Sequence, residues 1–347
     1  MYEYVGSIHM HSKFSDGSGD PAKIAQTADE VGLDFIILTD HNTLRALHEG
    51  YEKWYGQTLL LVGCELNDKV NKNHYLAMNI SETFSTRQSA KDYVKKVKDA
   101  GGIGFIAHPH EERNSMKEHP PYPWTDWDAG EFTGIEIWNH MSEWMEGLTE
   151  QNKYSHFVHP LKSVISPSKK TLQKWDELNR LRKVVGIGGI DAHAHKVNVL
   201  GFVEVEVFPY KVLFKSIRTH ILTDKKLRAK NLTIDSAKEI IYKSLENGSC
   251  FISNNYHGDA KGFKFYAKTG GKHFQMGESV KLKTSVNLKV ILPNKSANII
   301  LIHNGKQLSS IENTEGDFIV KKPGQYRVEV YTNNKAWIFS NHIRIEN

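Results

Sequence analysis

Short, wholly apolar strands that stop at a histidine or a carboxylate recur along this chain, and that pattern narrows the fold more than any other feature. Phe35-Ile36-Ile37-Leu38 runs into Thr39-Asp40-His41, and Leu59-Leu60-Leu61-Val62 into Gly63-Cys64-Glu65. Ile103-Gly104-Phe105-Ile106 leads to Ala107-His108-Pro109-His110, and Val184-Val185-Gly186-Ile187-Gly188-Gly189-Ile190 to Asp191-Ala192-His193-Ala194-His195. Continuous apolar runs of this length are what strands buried on both faces look like. Helical patterns separate them. Asp20-Pro21 reads as an N-cap with proline at the first helical position and Gly32 as the stop; further helices are expected near residues 44–55, 86–99, 140–155 and 169–182. Strand-helix alternation with polar ligands at strand ends is what a parallel barrel produces, since its site forms at the C-terminal mouth. The expected fold is α/β, with a distorted TIM-like barrel over residues 1–257.

From residue 258 the pattern changes to alternating β segments such as Val286-Asn287-Leu288-Lys289-Val290 and Tyr326-Arg327-Val328-Glu329-Val330, parted by turn signals at Asn304-Gly305 and Pro323-Gly324. Residues 258–347 therefore read as a small all-β sandwich of immunoglobulin-like type. The formal charge of +5 gathers there: this segment holds 14 Lys and Arg against 7 Asp and Glu, the rest of the chain 31 against 33. Its lysines alternate with apolar residues as on a solvated strand face, so the charge does not by itself point to nucleic acid.

No apolar run approaches the roughly 20 residues of a membrane span, and Met1-Tyr2-Glu3-Tyr4 lacks the basic segment and apolar core of a leader, so a cytoplasmic protein is expected. Cys64 and Cys250, the only cysteines, exclude a Cys-x-x-Cys zinc knuckle. Histidines must supply the soft ligands.

His9 and His11 close the first strand, where alternate residues share a face and can point at one ion, and Asp16 follows in Ser15-Asp16-Gly17. Alone, such a pair is as well explained as polar strand residues. Joined by His41, Glu65, His74, His108, Asp191 and His193 from other strand ends, it has the composition of a nitrogen- and oxygen-ligated site for several ions of zinc, manganese or iron.

The motifs His9-Met10-His11-Ser12-Lys13-Phe14-Ser15-Asp16-Gly17, Thr39-Asp40-His41-Asn42-Thr43, Cys64-Glu65 with His74, Ala107-His108-Pro109 and Gly189-Ile190-Asp191-Ala192-His193 together resemble the PHP (polymerase and histidinol phosphatase) superfamily, especially its stand-alone metal-dependent phosphoesterases. The resemblance covers the first two-thirds of the chain. It implies a distorted seven-stranded (βα) barrel and two to three divalent ions. Carried over by position, a first ion takes His9, His11, Glu65 and Asp191, with Glu65 bridging to a second on His74 and His108, and a third takes Asp16, His41 and His193. A trailing β module, seen in some members, is matched by Gly324-Gln325-Tyr326 and Trp337-Ile338-Phe339.

Adjacent divalent ions bring a bridging water toward neutrality and offset charge on phosphoryl oxygens, so hydroxide serves as nucleophile and no protein nucleophile is needed. The expected activity is hydrolysis of a small phosphomonoester or a nucleotide-like phosphodiester, with a nucleotide or oligonucleotide compatible as substrate. A carboxyl or carbamate ester hydrolase on the same ions is the alternative, and a non-catalytic metal-stabilised binding module a third reading. Asp191 and Glu65 are the central catalytic ligands. His110 and His195, each two residues past a ligand, are candidate general acids or substrate contacts, or else exposed loop histidines. Arg113 is the candidate phosphate grip, or else a partner of Glu111 or Glu112. Asp40 reads as a carboxylate orienting a ligand imidazole rather than as a direct ligand, His140, at another strand end, as a site residue or else a helix start, and Tyr122, Trp124 and Trp127 as either a lid or the packing of a long loop. Substrate, metal and oligomeric state are not specified by the sequence.

Overall fold

The structure, a computed structural model, describes residues 1–113, 115, 120–199, 203–229, 232–293 and 295–347. Its first sheet sets Tyr2–Ile8, Phe35–Leu38 and Thr58–Val62 side by side in parallel, pairing Ile8 with Ile37 and Leu38 with Val62. All nine residues of the latter two strands are buried, as their unbroken apolar sequences require. A second sheet runs Cys64–Leu66, Tyr75–Met78, Ile103–Ile106, Gly134–Asn139, Val185–Gly189. The first helix, Pro21–Val31, is capped as its sequence demands: the Asp20 carboxylate accepts from the Ala22 N–H, and Gly32 takes the left-handed conformation at φ 79°.

The expected distorted parallel barrel is corrected in two respects. Tyr75–Met78 runs antiparallel to both neighbours, because the connection from Cys64–Leu66 is too short for a crossover helix. The two sheets also do not merge into one ladder. They touch through isolated bridges, Met10 with Ala192 and His41 with Glu65, and a few backbone bonds such as Asp191 N–H to His9 O at 2.7 Å. Both seams lie at candidate ligands. The helix expected at 44–55 shrinks to Arg45–His48 followed by the strand Lys53–Tyr55, since Gly50 turns the chain at φ 77°.

The segment between the last ligand motif and the tail carries structure that its sequence did not announce: strand Ile217–Thr223, helix Ile234–Asn247 and strand Cys250–Asn254. These strands extend the first sheet beyond Tyr2–Ile8, and Cys250–Asn254 then pairs with Lys335–Ser340 of the tail. One twelve-stranded sheet thus crosses from the α/β part into the all-β part. In the tail, a four-stranded sheet of Lys272–Gln275, Lys264–Thr269, Val286–Ile291 and Glu315–Val320 shares an apolar core with Ala297–His303 and Gly324–Thr332, through Phe265, Leu288, Ile299, Val328 and Trp337. Asn304 and Gly305, at φ 50° and 81°, make the tight turn that the Asn-Gly pair predicts. No helix among the described residues is long and apolar enough to cross a membrane.

The tail is also fastened by buried charge. Asp176, on helix Lys169–Leu181, accepts from Arg327 Nε at 2.8 Å and Nη2 at 2.7 Å, and lies 2.8 Å from His342 Nε2; Arg327 donates a third bond to Glu329 at 2.7 Å. Asn341 reaches the α/β part as well, its Nδ2 donating to Gly186 O and its Oδ1 accepting from Gly186 N–H. Removing one partner of such a pair strands a charge out of water. Asp176→Ala is expected to cost about 3–5 kcal/mol in urea unfolding, and Asp176→Leu with Arg327→Met to recover most of it. A single variant as stable as the parent would show that the pair does not hold the two parts together.

Candidate metal centre

The strand ends deliver the candidate residues to one mouth. His41 lies three residues past Phe35–Leu38, His108 two past Ile103–Ile106 and Asp191 two past Val185–Gly189. His74 reaches the same end from the other direction, because the strand it precedes is the antiparallel one. His9 and His11 converge by a different route from the one expected. The strand stops at Ile8, and His9 turns into the left-handed region at φ 66° rather than continuing the pleat. His108 at φ 25° and Asp191 at φ 52° do the same. Such conformations cost non-glycine residues about 1–3 kcal/mol each and persist where the surroundings impose them.

Glu65, buried within Cys64–Leu66, is the hub. Its Oε2 lies 3.0 Å from His9 Nε2, 3.2 Å from His11 Nε2 and 3.5 Å from His41 Nδ1; its Oε1 lies 2.8 Å from His74 Nδ1 and 3.3 Å from His108 Nε2. Asp191 Oδ1 is 3.1 Å from His11 Nε2 and 3.4 Å from His9 Nε2. Asp16, half exposed, is 3.3 Å from His193 Nε2 and 3.6 Å from His41 Nε2. Three sets of donor atoms lie mutually within 4.8 Å: His9, His11, Glu65 and Asp191; His11, Asp16, His41 and His193; and His41, Glu65 and His74. The first coincides with the set carried over for one ion. In the others His11 joins the Asp16 group, and His41 stands beside Glu65 and His74 where His108 was expected.

The donors fit divalent cations. Six imidazoles crowd three carboxylates, and the buried Nδ1 atoms of His11 and His108 have no hydrogen-bond partner among the described residues. Burial by itself favours the neutral form of each group, yet the charges overrule it. Against burial, His9, His41 and His74 hold the Glu65 carboxyl well below its usual range, and His9 and His11 do the same for Asp191. Burial likewise opposes charging of His11 and His108, but Asp191 and Glu65 raise the first to about 10, and Glu111 and Glu65 the second to about 9. Burial wins at His41, which falls to about 4. Nitrogen and carboxylate oxygen in this mixture suit zinc, manganese or iron, and protons on the imidazoles stand in for that positive charge.

A supporting residue escaped the sequence reading. Glu136, buried on Gly134–Asn139, lies 2.9 Å from His9 Nδ1 and accepts the His108 backbone N–H at 2.8 Å and Asn139 Nδ2 at 2.9 Å, so one carboxylate orients two candidate ligands. The signal was a glutamate inside the apolar run Gly134-Ile135-Glu136-Ile137-Trp138, where an unpaired charge is not tolerated. Gly189 makes room for it: a Cβ there would sit 2.0 Å from Glu136 Oε1. Asp40 does not orient an imidazole. Its oxygens accept from Ser12 N–H and Oγ at 2.7 Å and Ser15 Oγ at 2.8 Å, pinning the loop between His11 and Asp16.

The centre opens into a cavity of about 720 Å³ whose described lining includes Asp16, His41, Glu65, His74, His108, Asp191, His193, His195 and Arg113. His195 is exposed and stacks on His193 at 5.0 Å; Arg113 donates to Glu111 at 2.6 Å and lies over the Tyr122 ring. His110 does not line this cavity: it turns toward Thr171 and stacks on Trp127. Of the three loop aromatics only Tyr122 faces the cavity, stacked on His74, whereas Trp124 is buried near Tyr75. His140 begins helix His140–Gly147 and is fully buried, which lowers it to about 3. Elsewhere Ser253, His220 and Glu3 form a hydrogen-bonded chain of the kind nucleophilic hydrolases use, but Ser253 and His220 are fully buried.

Residues 7–106 match the PHP domain family, a stretch that contains His9, His11, Asp16, His41, Glu65 and His74. Over 116 residues the chain is 25% identical to an uncharacterized protein of Methanocaldococcus jannaschii, covering 30% of this chain and 66% of that protein, just under two thirds of its length. Among solved structures it is similar to a two-domain protein containing a predicted PHP-like metal-dependent phosphoesterase from Bacteroides vulgatus, at TM-score 0.45 and 15% identity over 98% of this chain and 95% of that one. It is also similar to an amidohydrolase from Chromobacterium violaceum with bound sulfate and no metal, at TM-score 0.33 and 14% identity over 54% of this chain and 87% of that one. The stretch that bears the first ligand motifs is thus similar to the PHP domain family.

Proposed function

We propose that the chain is a metal-dependent phosphoesterase acting on a small phosphorylated substrate, either a monoester or a nucleotide-like diester. The observation that carries this reading is Glu65, a buried carboxylate with both oxygens within reach of five imidazoles at the floor of an open cavity. On this reading residues 1–257 form the hydrolase unit, a distorted (βα)7 barrel opened at its two ligand-bearing seams, and residues 258–347 a β-sandwich module. His9, His11, Glu65 and Asp191 would hold one ion, Glu65 with His74 and His108 or His41 a second, and Asp16, His41 and His193 a third. Bound there, divalent zinc, manganese or iron supplies Lewis acidity toward phosphoryl oxygens and brings a coordinated water toward neutral pKa.

The chain's own groups do the rest. Arg113, held by Glu111 and the Tyr122 face, grips a phosphoryl oxygen. His195, exposed beside His193, passes a proton to the leaving oxygen. Glu136 keeps His9 in the orientation that turns Nε2 toward Glu65. His110, set back from the cavity, acts at most through its neighbours. The second reading, hydrolysis of a carboxyl or carbamate ester, is favoured by one feature: Arg113 is the single guanidinium or ammonium among the described lining residues.

Asp191→Asn is expected to lower manganese-supported hydrolysis of p-nitrophenyl phosphate or bis-p-nitrophenyl phosphate by at least about 10³-fold while retaining the far-ultraviolet circular dichroism of the parent. Turnover of neither ester by the metal-loaded parent would shift the assignment to carbonyl esters. Glu136→Gln should weaken metal affinity about 10- to 100-fold, measured by competition with a chromophoric chelator. An unchanged affinity would remove Glu136 from the support of His9.

The protons on the imidazoles give a pH signature. The stabilisation from charged His11 and His108 is complete below the ordinary histidine value of 6.5 and is lost as pH rises through their folded values of about 10 and about 9, respectively. Metal-free protein should therefore lose thermal stability between pH 7 and 10, and metal-loaded protein much less, with protons released on metal binding at pH 7.5. A metal-free midpoint that rises across this window would contradict the assigned electrostatics.

A further inference from the structure

The cavity has two chemically different ends, and the proposed chemistry uses only one. Besides the carboxylates and imidazoles, its lining includes Met141, Trp144 and Met145 of helix His140–Gly147, Phe157 of helix Lys153–Val158, and Val207 and Phe208 just before Tyr210. The three rings pack on one another: Trp144 lies edge-on to Phe208 at 4.6 Å and to Phe157 at 4.8 Å, and Phe157 and Phe208 are parallel at 5.7 Å. The Trp144 indole N–H is taken by the His156 carbonyl, leaving its carbon framework to the wall. We infer that this wall is a subsite for an aromatic group carried on the alcohol of the substrate, so that the esters hydrolysed are those of aryl-bearing alcohols rather than of small polar ones. The inference rests on the phosphoesterase reading and specifies its substrate.

Two observations separate this wall from ordinary core. Phe157 is 41% exposed although it packs on Trp144, so apolar surface is left uncovered inside the mouth. Phe208 is held at φ 55°, a conformation that a bulky side chain adopts only under constraint, and its ring is thereby placed against Trp144 and Phe157. The occupant is set by continuity. One cavity joins the wall to Glu65, Asp191 and His193, and its volume of about 720 Å³ suits a molecule far larger than phosphate. A ligand with its phosphoryl group at the carboxylate-imidazole end carries its alcohol toward these rings. Edge-on and offset rings favour an aromatic guest, and Met141 and Met145 adapt to its outline.

The test compares ligands that differ only in the ring. Manganese-loaded full-length protein is titrated calorimetrically with 3-phenylpropylphosphonate and propylphosphonate, which are not hydrolysed, and assayed for phosphate release from 3-phenylpropyl phosphate and propyl phosphate, whose leaving alcohols are closely similar in acidity. The phenyl compound is expected to bind and to turn over at least about 10-fold better, and Phe157→Ala, at a position already open to solvent, to bring both ratios below about threefold. Equal binding of the two phosphonates, a ratio that survives Phe157→Ala, or no detectable binding of the phenyl compound each overturns the subsite. Ring-dependent binding without hydrolysis of either ester upholds the subsite and removes the phosphomonoesterase form of the reading. Hydrolysis of both esters at one rate does the reverse.

Discussion

The structure is organised around the Glu65 carboxylate, a negative charge 1% exposed to water. A lone carboxylate in that position would neutralise by taking a proton. Five imidazoles prevent this, brought by four strand ends, and they in turn are too many to be satisfied by the carboxylates alone. The buried nitrogens of His11 and His108 that bond to nothing among the described residues mark the excess. Protons fill part of that demand, whereas divalent cations would fill it without the mutual repulsion of charged rings. A site of this kind is therefore a reservoir of unfavourable energy, repaid through the sheets that hold the strand ends together.

That demand also explains why the barrel does not close. A continuous ladder would require Cys64–Leu66 to carry on from Thr58–Val62 and the Tyr2–Ile8 strand to run on past His9. Instead the chain breaks at both places into single bridges, at His41 with Glu65 and at Met10 with Ala192. Left-handed backbone at His9 and Asp191 turns the ligands inward at one of these seams. The regular sheet is given up where the side chains need directions that a pleat does not supply.

How much of this was legible follows from which rule each residue obeys. Buried strands ending in His41, His108 and Asp191 could be read because period and composition act locally, and the Asp20 cap and Gly32 stop of the first helix for the same reason. The same local rules misread the backbone at His9 and His11, taken as neighbours on one strand face, since nothing in His-Met-His announces a positive φ. Glu136 was missed because its role is defined by His9, 127 positions away. Strands Ile217–Thr223 and Cys250–Asn254 were missed because they carry Arg218, Thr219, His220, Ser253 and Asn254 at buried positions, so neither reads as an apolar run. Their polar groups are satisfied by partners remote in sequence, such as Glu3 for His220 and Gly188 for Thr219.

The same asymmetry separates the two ends of the cavity. Metal-binding chemistry is restricted to a few residue types, so six histidines and three carboxylates at strand ends stand out against any background. An apolar recognition wall uses the residues that cores use. Trp144 and Met145 read as the buried face of a helix, which they also are, and Phe208 as one more aromatic beside a proline. Only their arrangement distinguishes them: three rings from three separate segments, one of them 41% exposed and another on a left-handed backbone, meeting at the rim of the cavity that the carboxylates floor. The capacity to bind metal is thus written in residue identity, while the shape of the cavity around it is written in placement, and placement is fixed by contacts that no local pattern encodes.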